Sequence, residues 1–148
     1  MEDEYKKHNE RFKPLNKIFK NTHGLEFVFA SNENYHDEWN NCQLKVYNDV
    51  DDEMNTFYMV EVSFLHNKTV SKTFEWPEDA IGELVNFIKN LQGKKTLMKC
   101  FIDCEFLHSL SLRDGDLYHV LVYFLEKSKE LDKLSDYDKK AIESNLLT

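Results

Sequence analysis

Between residues 25 and 76, apolar and polar residues alternate with a period of two. The segments LEFVFA, CQLKVYN, TFYMVEVSFL and TVSKTFEW are each rich in β-branched and aromatic residues, the composition of strands that bury one face. Polar connections separate them (SNENYHDEWNN, DVDDEMN and HNK), so the pattern predicts an antiparallel meander. Upstream, RFKPLNKIFKNTHG places Phe12, Leu15 and Phe19 at helical spacing and ends at Gly24, a residue suited to a left-handed helix stop. Downstream, Ile81, Leu84, Val85, Ile88 and Leu91 form one apolar stripe. Pro77 fits a first helical turn, Glu78 and Asp79 complement the positive end of the helix dipole, and Gly93 offers a stop. The spacing predicts a helix over 77–92 lying across one face of the sheet.

The alternation resumes in TLMKCFIDCEFLHSLSL, whose even positions include Met98, Cys100, Ile102, Cys104, Phe106 and His108. That period favours a strand, with a helix as the alternative. RDGD reads as a hairpin turn, because Asp114 and Gly115 accept the positive φ angles of a type I′ turn, and LYHVLVYFLEK reads as the returning strand. The tail opens on a Ser-x-x-Asp capping pattern in SDYDKKAIESNLL, which predicts a last helix. The sum is one α+β domain over residues 1–148: an antiparallel sheet of about six strands, the amphipathic helix 77–92 packed on one face, and short helices at both termini.

Composition narrows the function classes. At 148 residues, with 41% apolar and 14% aromatic residues, the chain can bury a core without disulfides or a structural metal. The charged start MEDEYKKHNERFKP is not a secretory signal, and no stretch approaches the ~18 apolar residues of a membrane span, so a cytoplasmic protein is expected. Three cysteines, Cys42, Cys100 and Cys104, do not make a disulfide framework. Twenty-seven acids against nineteen Lys and Arg give a net charge of -8, which repels phosphate backbones and suits either solubility or a basic protein partner.

Four features have the residue types of chemistry. On one strand, Cys100 and Cys104 share a face about 13 Å apart, too far for a disulfide or one metal, which leaves them as buried small side chains. The hairpin register sets His108 and His119 as diagonal neighbours about 7 to 8 Å apart, but with apolar neighbours and no carboxylate to orient an imidazole. The acidic run Asp49, Asp51, Asp52 and Glu53 resembles a calcium loop without its glycine or its final glutamate, since Val60 stands at the twelfth position from Asp49. It reads instead as a solvated loop or a surface for a cationic partner. Asp37 and Glu38 in the neighbouring loop extend that surface, and Tyr35 and Trp39 there are the kind of aromatic anchors that carry interface energy, unless Trp39 folds back on the core. No nucleophile with its base and no phosphate-binding loop is evident, so neither catalytic residues nor a cofactor or metal is expected.

TVSKTFEWPEDAIGELVNFIKNLQGKK followed by DCEFLHSLSLRDGDLYHVLVYF resembles small bacterial immunity-type proteins of the WapI-like kind, over roughly residues 57–125. The matching residues are Pro77, Glu78, Asp79, Asp114, His119, Val120 and Val122. The family's Gly-rich hairpin is missing here, and both terminal helices lie outside the match. The resemblance implies an antiparallel sheet with one packed helix, and a non-enzymatic protein that blocks a cognate toxin domain, often a basic nuclease. Two other classes stay open: a phage or mobile-element inhibitor that mimics nucleic acid toward a host defence nuclease, and a small metal- or His-dependent enzyme using His108 and His119.

Overall fold

The computed structural model describes residues 2–30, 43–64, 68–91, 97–110 and 116–147. Two helices open the chain, α1 (Glu2–Arg11) and α2 (Lys13–His23). Strands β1 (Leu25–Phe29), β2 (Gln43–Val50), β3 (Thr56–Phe64) and β4 (Lys68–Phe74) follow, then α3 (Pro77–Lys89) and β5 (Met98–Ile102). Three helices close it: α4 (Cys104–Ser109), α5 (Leu117–Lys127) and, after a 3-10 turn at Leu131–Lys133, α6 (Asp136–Leu147). Among the described residues, no helix is long and apolar enough to cross a membrane.

The fold is α+β, but among the described residues there is one sheet, and it is mixed, with five strands in the order β1-β5-β2-β3-β4. The meander holds for β2, β3 and β4, which pair antiparallel. It fails on the other side, where β5 inserts between β1 and β2 and runs parallel to both. Parallel neighbours need a crossover of a dozen or more residues, and α3 supplies one on the way from β4 to β5. The rows of the sheet are apolar across this mixed register: Phe27 sits beside Cys100, Cys100 beside Leu44, and Leu44 beside Val62. Together with Phe12, Leu15 and Phe19 from the α1–α2 segment, Leu84 and Ile88 of α3, and Leu121 and Leu125 of α5, they form one buried core.

The second half of the expected hairpin is corrected. LYHVLVYFLEK is α5, with Leu117, Tyr118, Leu121, Val122 and Leu125 on its buried face, a helical spacing that its β-branched residues disguise in the sequence. Asp116 starts this helix by accepting the Tyr118 N–H at 2.9 Å. The preceding stretch is also not one strand. It runs extended only to Ile102, after which Asp103 accepts the Glu105 N–H at 3.0 Å and caps α4. Phe101, Ile102, Asp103 and Cys104 are all buried in succession, which a half-exposed strand would not show. The turn residues 111–115, Asp114 among them, lie outside the described residues.

Local signals at three other helix ends are met, whereas the stop expected at Gly93 lies outside the described residues and the helix expected over 77–92 ends at Lys89. Gly24 has φ 63° and its N–H reaches the Phe19 carbonyl, closing α2. Pro77 opens α3, which ends with Asn90 as its cap. Ser135 accepts the Asp138 N–H at 3.2 Å while donating its hydroxyl to the Asp138 carboxylate, as the Ser-x-x-Asp pattern predicts.

The two edges of the sheet differ. At β1 the outer backbone groups are taken by asparagine amides from the helices. Asn9 donates to the Phe29 carbonyl at 3.0 Å and accepts its N–H at 2.8 Å, and Asn16 does the same for Phe27 at 3.1 and 2.8 Å. These two forks act as the missing neighbour strand, so α1 and α2 close an edge that would otherwise invite pairing with another chain. They also fix where α1 lies, which positions the cleft described next.

Candidate functional site

Glu4, His8 and Arg11 stand at positions i, i+4 and i+7 of α1, one stripe on its surface. Opposite them, α4 presents Cys104 and His108, again four apart, and the start of α5 contributes Asp116 and Tyr118. These elements enclose a cleft of about 250 Å³ lined by Glu4, His8, Arg11, His108, Asp116 and Tyr118 over an apolar floor that includes Phe12.

The polar groups are connected in two sets. In the first, one carboxylate oxygen of Glu4 pairs with His108 Nε2 and lies 3.8 Å from His8 Nε2. Cys104 lies beside them, so that ligand atoms of Glu4, His8 and Cys104 are all within 4.8 Å of one another. In the second, one oxygen of Asp116 meets Arg11 Nη2 at 3.3 Å and His119 Nδ1 at 3.1 Å. The Arg11 guanidinium also stacks 4.3 Å above the Tyr118 ring.

Burial sets the protonation of several groups. The His8 pKa is lowered chiefly by desolvation, against which Glu4 pulls it up. The Cys104 thiol is pushed up to about 12, by desolvation first and then by the negative charge of Glu4 and Asp103. Desolvation likewise raises Cys100 and Tyr118. A thiol in that state is not a nucleophile at neutral pH. On its own, the cleft can hold charged groups in place or take a cation; among the described residues around it, neither Cys104 nor Tyr118 is an activated attacking group.

The acidic run lies elsewhere, at the tip of the β2–β3 hairpin. Asp49, Val50, Asp51, Asp52, Glu53 and Met54 are all exposed, Val50 by 49% and Met54 by 76%. The tip is nonetheless ordered. Asp51 accepts the N–H groups of Glu53 and Asn55, both at 2.9 Å, and its own N–H reaches the Asn55 carbonyl at 3.0 Å. Met54 adopts φ 66°, at the position where a calcium loop carries glycine.

The structure therefore redistributes the candidates. Asp49, Asp51, Asp52 and Glu53 form one exposed surface, whereas Tyr35, Asp37, Glu38 and Trp39 lie outside the described residues. His108 and His119 are not hairpin neighbours: they sit on α4 and α5, each exposed, and each has the carboxylate that the strand reading denied it. Cys100 and Cys104 are buried free thiols, but one is on β5 and the other on α4. Sequence reasoning missed Glu4, His8, Arg11 and Asp116. The available signal was the pair of i, i+4 spacings, Glu4 to His8 and Cys104 to His108, which become faces only once both segments are helical.

Comparison with protein-family models, with curated proteins and with solved structures yields no match for this chain.

Proposed function

We propose that this chain is a non-enzymatic, acidic binding protein of the immunity type, which neutralises a cognate basic toxin or nuclease domain in the cytoplasm. The observation that carries the reading is the β2–β3 tip, where the exposed acids Asp49, Asp52 and Glu53 alternate along the chain with two exposed apolar residues, Val50 and Met54, on a turn hydrogen-bonded by Asp51. Charge of one sign steers an oppositely charged partner, and apolar residues inside a charged rim supply contact area once it arrives. A net charge of -8 adds to the steering.

The test begins with recovery of the partner by pull-down from the source cells and mass spectrometry, followed by association kinetics with purified components. Asp49, Asp52 and Glu53 are reversed to lysine together, leaving Asp51 in place because its carboxylate builds the turn. Slower association that no longer depends on salt supports the reading, and unchanged kinetics refute it. A toxin gene directly upstream fits immunity, whereas phage structural genes as neighbours would favour the mobile-element inhibitor.

A second reading, catalysis by His108 and His119, gains support from their carboxylate partners Glu4 and Asp116. Against it, among the described residues that line the cleft none is an activated nucleophile. Neutralisation of the partner that survives His119→Ala intact would remove this reading.

A further inference from the structure

The expected absence of a metal rested on a strand that placed Cys104 and His108 along an extended backbone. With α4 helical, Cys104 and His108 are separated by one turn on a common face, and they look at a second one-turn pair, Glu4 and His8 of α1. We propose that Glu4, His8, Cys104 and His108 bind one divalent transition-metal ion, zinc by the character of the donors, which clips the first helix of the chain to α4. This inference does not depend on the binding role of the hairpin tip.

Four observations carry it. First, the donor atoms of Glu4, His8 and Cys104 already lie within 4.8 Å of one another. In a tetrahedral zinc site with bonds of about 2.0 to 2.3 Å, neighbouring donors are separated by roughly 3.3 to 3.8 Å, so the side chains need to close by little more than an ångström. Second, His108 Nε2 pairs with the same Glu4 oxygen that His8 approaches at 3.8 Å; it stands outside the 4.8 Å grouping of the other three, and a rotation of this exposed side chain would bring it in as the fourth donor. Third, the set is chemically selective. Thiolate and imidazole favour zinc over magnesium or calcium, which take oxygen ligands. Coordination would displace the Cys104 thiol proton to solvent, and the resulting thiolate with one carboxylate would neutralise a dication, which suits a site that is partly buried. Fourth, the site has both an inner wall and an entrance. Cys104 is fully buried, while Glu4, His8 and His108 line the cleft, and the His108 side chain is 60% exposed.

With four protein donors, no coordination position remains for water, which marks a structural site rather than a catalytic one. The role follows from where the ligands are. α1 is held by the Asn9 fork on β1 and by Arg11 on Asp116, both toward its C-terminal half. His8 lies beside that anchored half and Glu4 one turn nearer the start, so the metal would extend the anchoring of α1 by a turn toward its N-terminus.

The experiment uses the full chain, stripped with a chelator and titrated with cobalt(II) alone and then with zinc(II). One cobalt per chain is expected, with a thiolate-to-cobalt charge-transfer band and the intense visible absorption of tetrahedral coordination, both removed by zinc. Cys104→Ser should abolish the charge-transfer band and Cys42→Ser should leave it. His108→Asn, an exposed position that spares the core, should weaken cobalt binding at least tenfold and remove the rise in Tm that zinc gives the unaltered chain. The proposal is overturned by no cobalt binding, by a band that survives Cys104→Ser or disappears with Cys42→Ser, or by His108→Asn binding cobalt as tightly as the unaltered chain. In those cases the Glu4–His108 ion pair joins the two helices without a metal.

Discussion

The α1–α4 cleft and the β2–β3 tip both gather acidic side chains, and they treat charge in opposite ways. In the cleft, Glu4 and Asp116 each answer two basic or titratable groups, in a half-buried setting where an unpaired charge would be costly. At the tip, no ion pair among the described residues reaches Asp49, Asp51, Asp52 or Glu53. Those carboxylates accept backbone N–H groups or face water. Charge in the cleft is therefore spent on internal structure, whereas charge at the tip is exposed to solvent and, under the proposed function, open to a partner. Substitutions near the cleft should register in stability, and substitutions at the tip in binding.

The largest effect is expected under the cleft. Phe12 is fully buried, meets Phe29 and Tyr118 edge-on at 4.6 and 5.3 Å, and joins α1 to the core. Phe12→Ala should cost about 3 to 5 kcal/mol, read from chemical denaturation. Next comes Asn16→Ala, which strips both hydrogen-bonding partners from Phe27 on the β1 edge. About 1 to 3 kcal/mol is expected, together with a greater tendency to associate through the uncovered edge. A loss below 0.5 kcal/mol, on the order of a surface change, would mean that water replaces the fork.

At the tip the direction reverses. Met54 holds φ 66° without being glycine, so Met54→Gly should relieve strain and stabilise the fold by up to about 1 kcal/mol while weakening partner binding. A stabilised variant that binds as well as before would show that Met54 is not part of the contact surface.

A shallower effect is carried by pH. Desolvation lowers the pKa of His23 and of His8 in the folded chain, and Glu130 near His23 and Glu4 near His8 only partly offset it. The unfolded chain therefore takes up protons first as pH falls through about 6.5, and stability declines from there downward; it is level just above, until the thiols of Cys100 and Cys104, held protonated by burial in the folded chain, ionise in the unfolded chain at about pH 8.5 and above. Thermal unfolding in the presence of a chelator should show that slope, reduced in His23→Gln and reduced further when His8→Gln is added. A slope that survives both substitutions would locate the linkage elsewhere.

How much of this was legible in the sequence depended on the range of the interactions involved. Gly24, Pro77 and Ser135 act within a turn of themselves, and the helix ends they predict are present. Strands β1 to β4 announce themselves through alternation, which is also local. The placement of β5 between β1 and β2 is decided by which apolar rows meet across the sheet, and no window of sequence contains that. Residues 98–127 misled for a different reason. Asp103 and Asp116 are helix caps embedded in stretches that alternate, and the Asp-Gly pair between them outweighed them as a turn signal. The acidic run of the tip was legible because it is contiguous. The cleft was not, because Glu4 and His108 are separated by 104 positions and meet only through the packing of α1 beside α4.

The contrast between the two regions is tested most directly by the rate at which the purified partner associates with the chain as salt is raised from about 0.05 to 0.5 M, across which the screening length shortens severalfold. With the native tip the rate should fall by roughly tenfold or more. With Asp49, Asp52 and Glu53 all reversed to lysine, it should be slow at low salt and nearly flat, while unfolding stability stays within about 0.5 kcal/mol of the native chain. A salt-independent rate for the native chain, or the same profile from both proteins, would contradict the assignment of the tip as the surface that meets a basic partner.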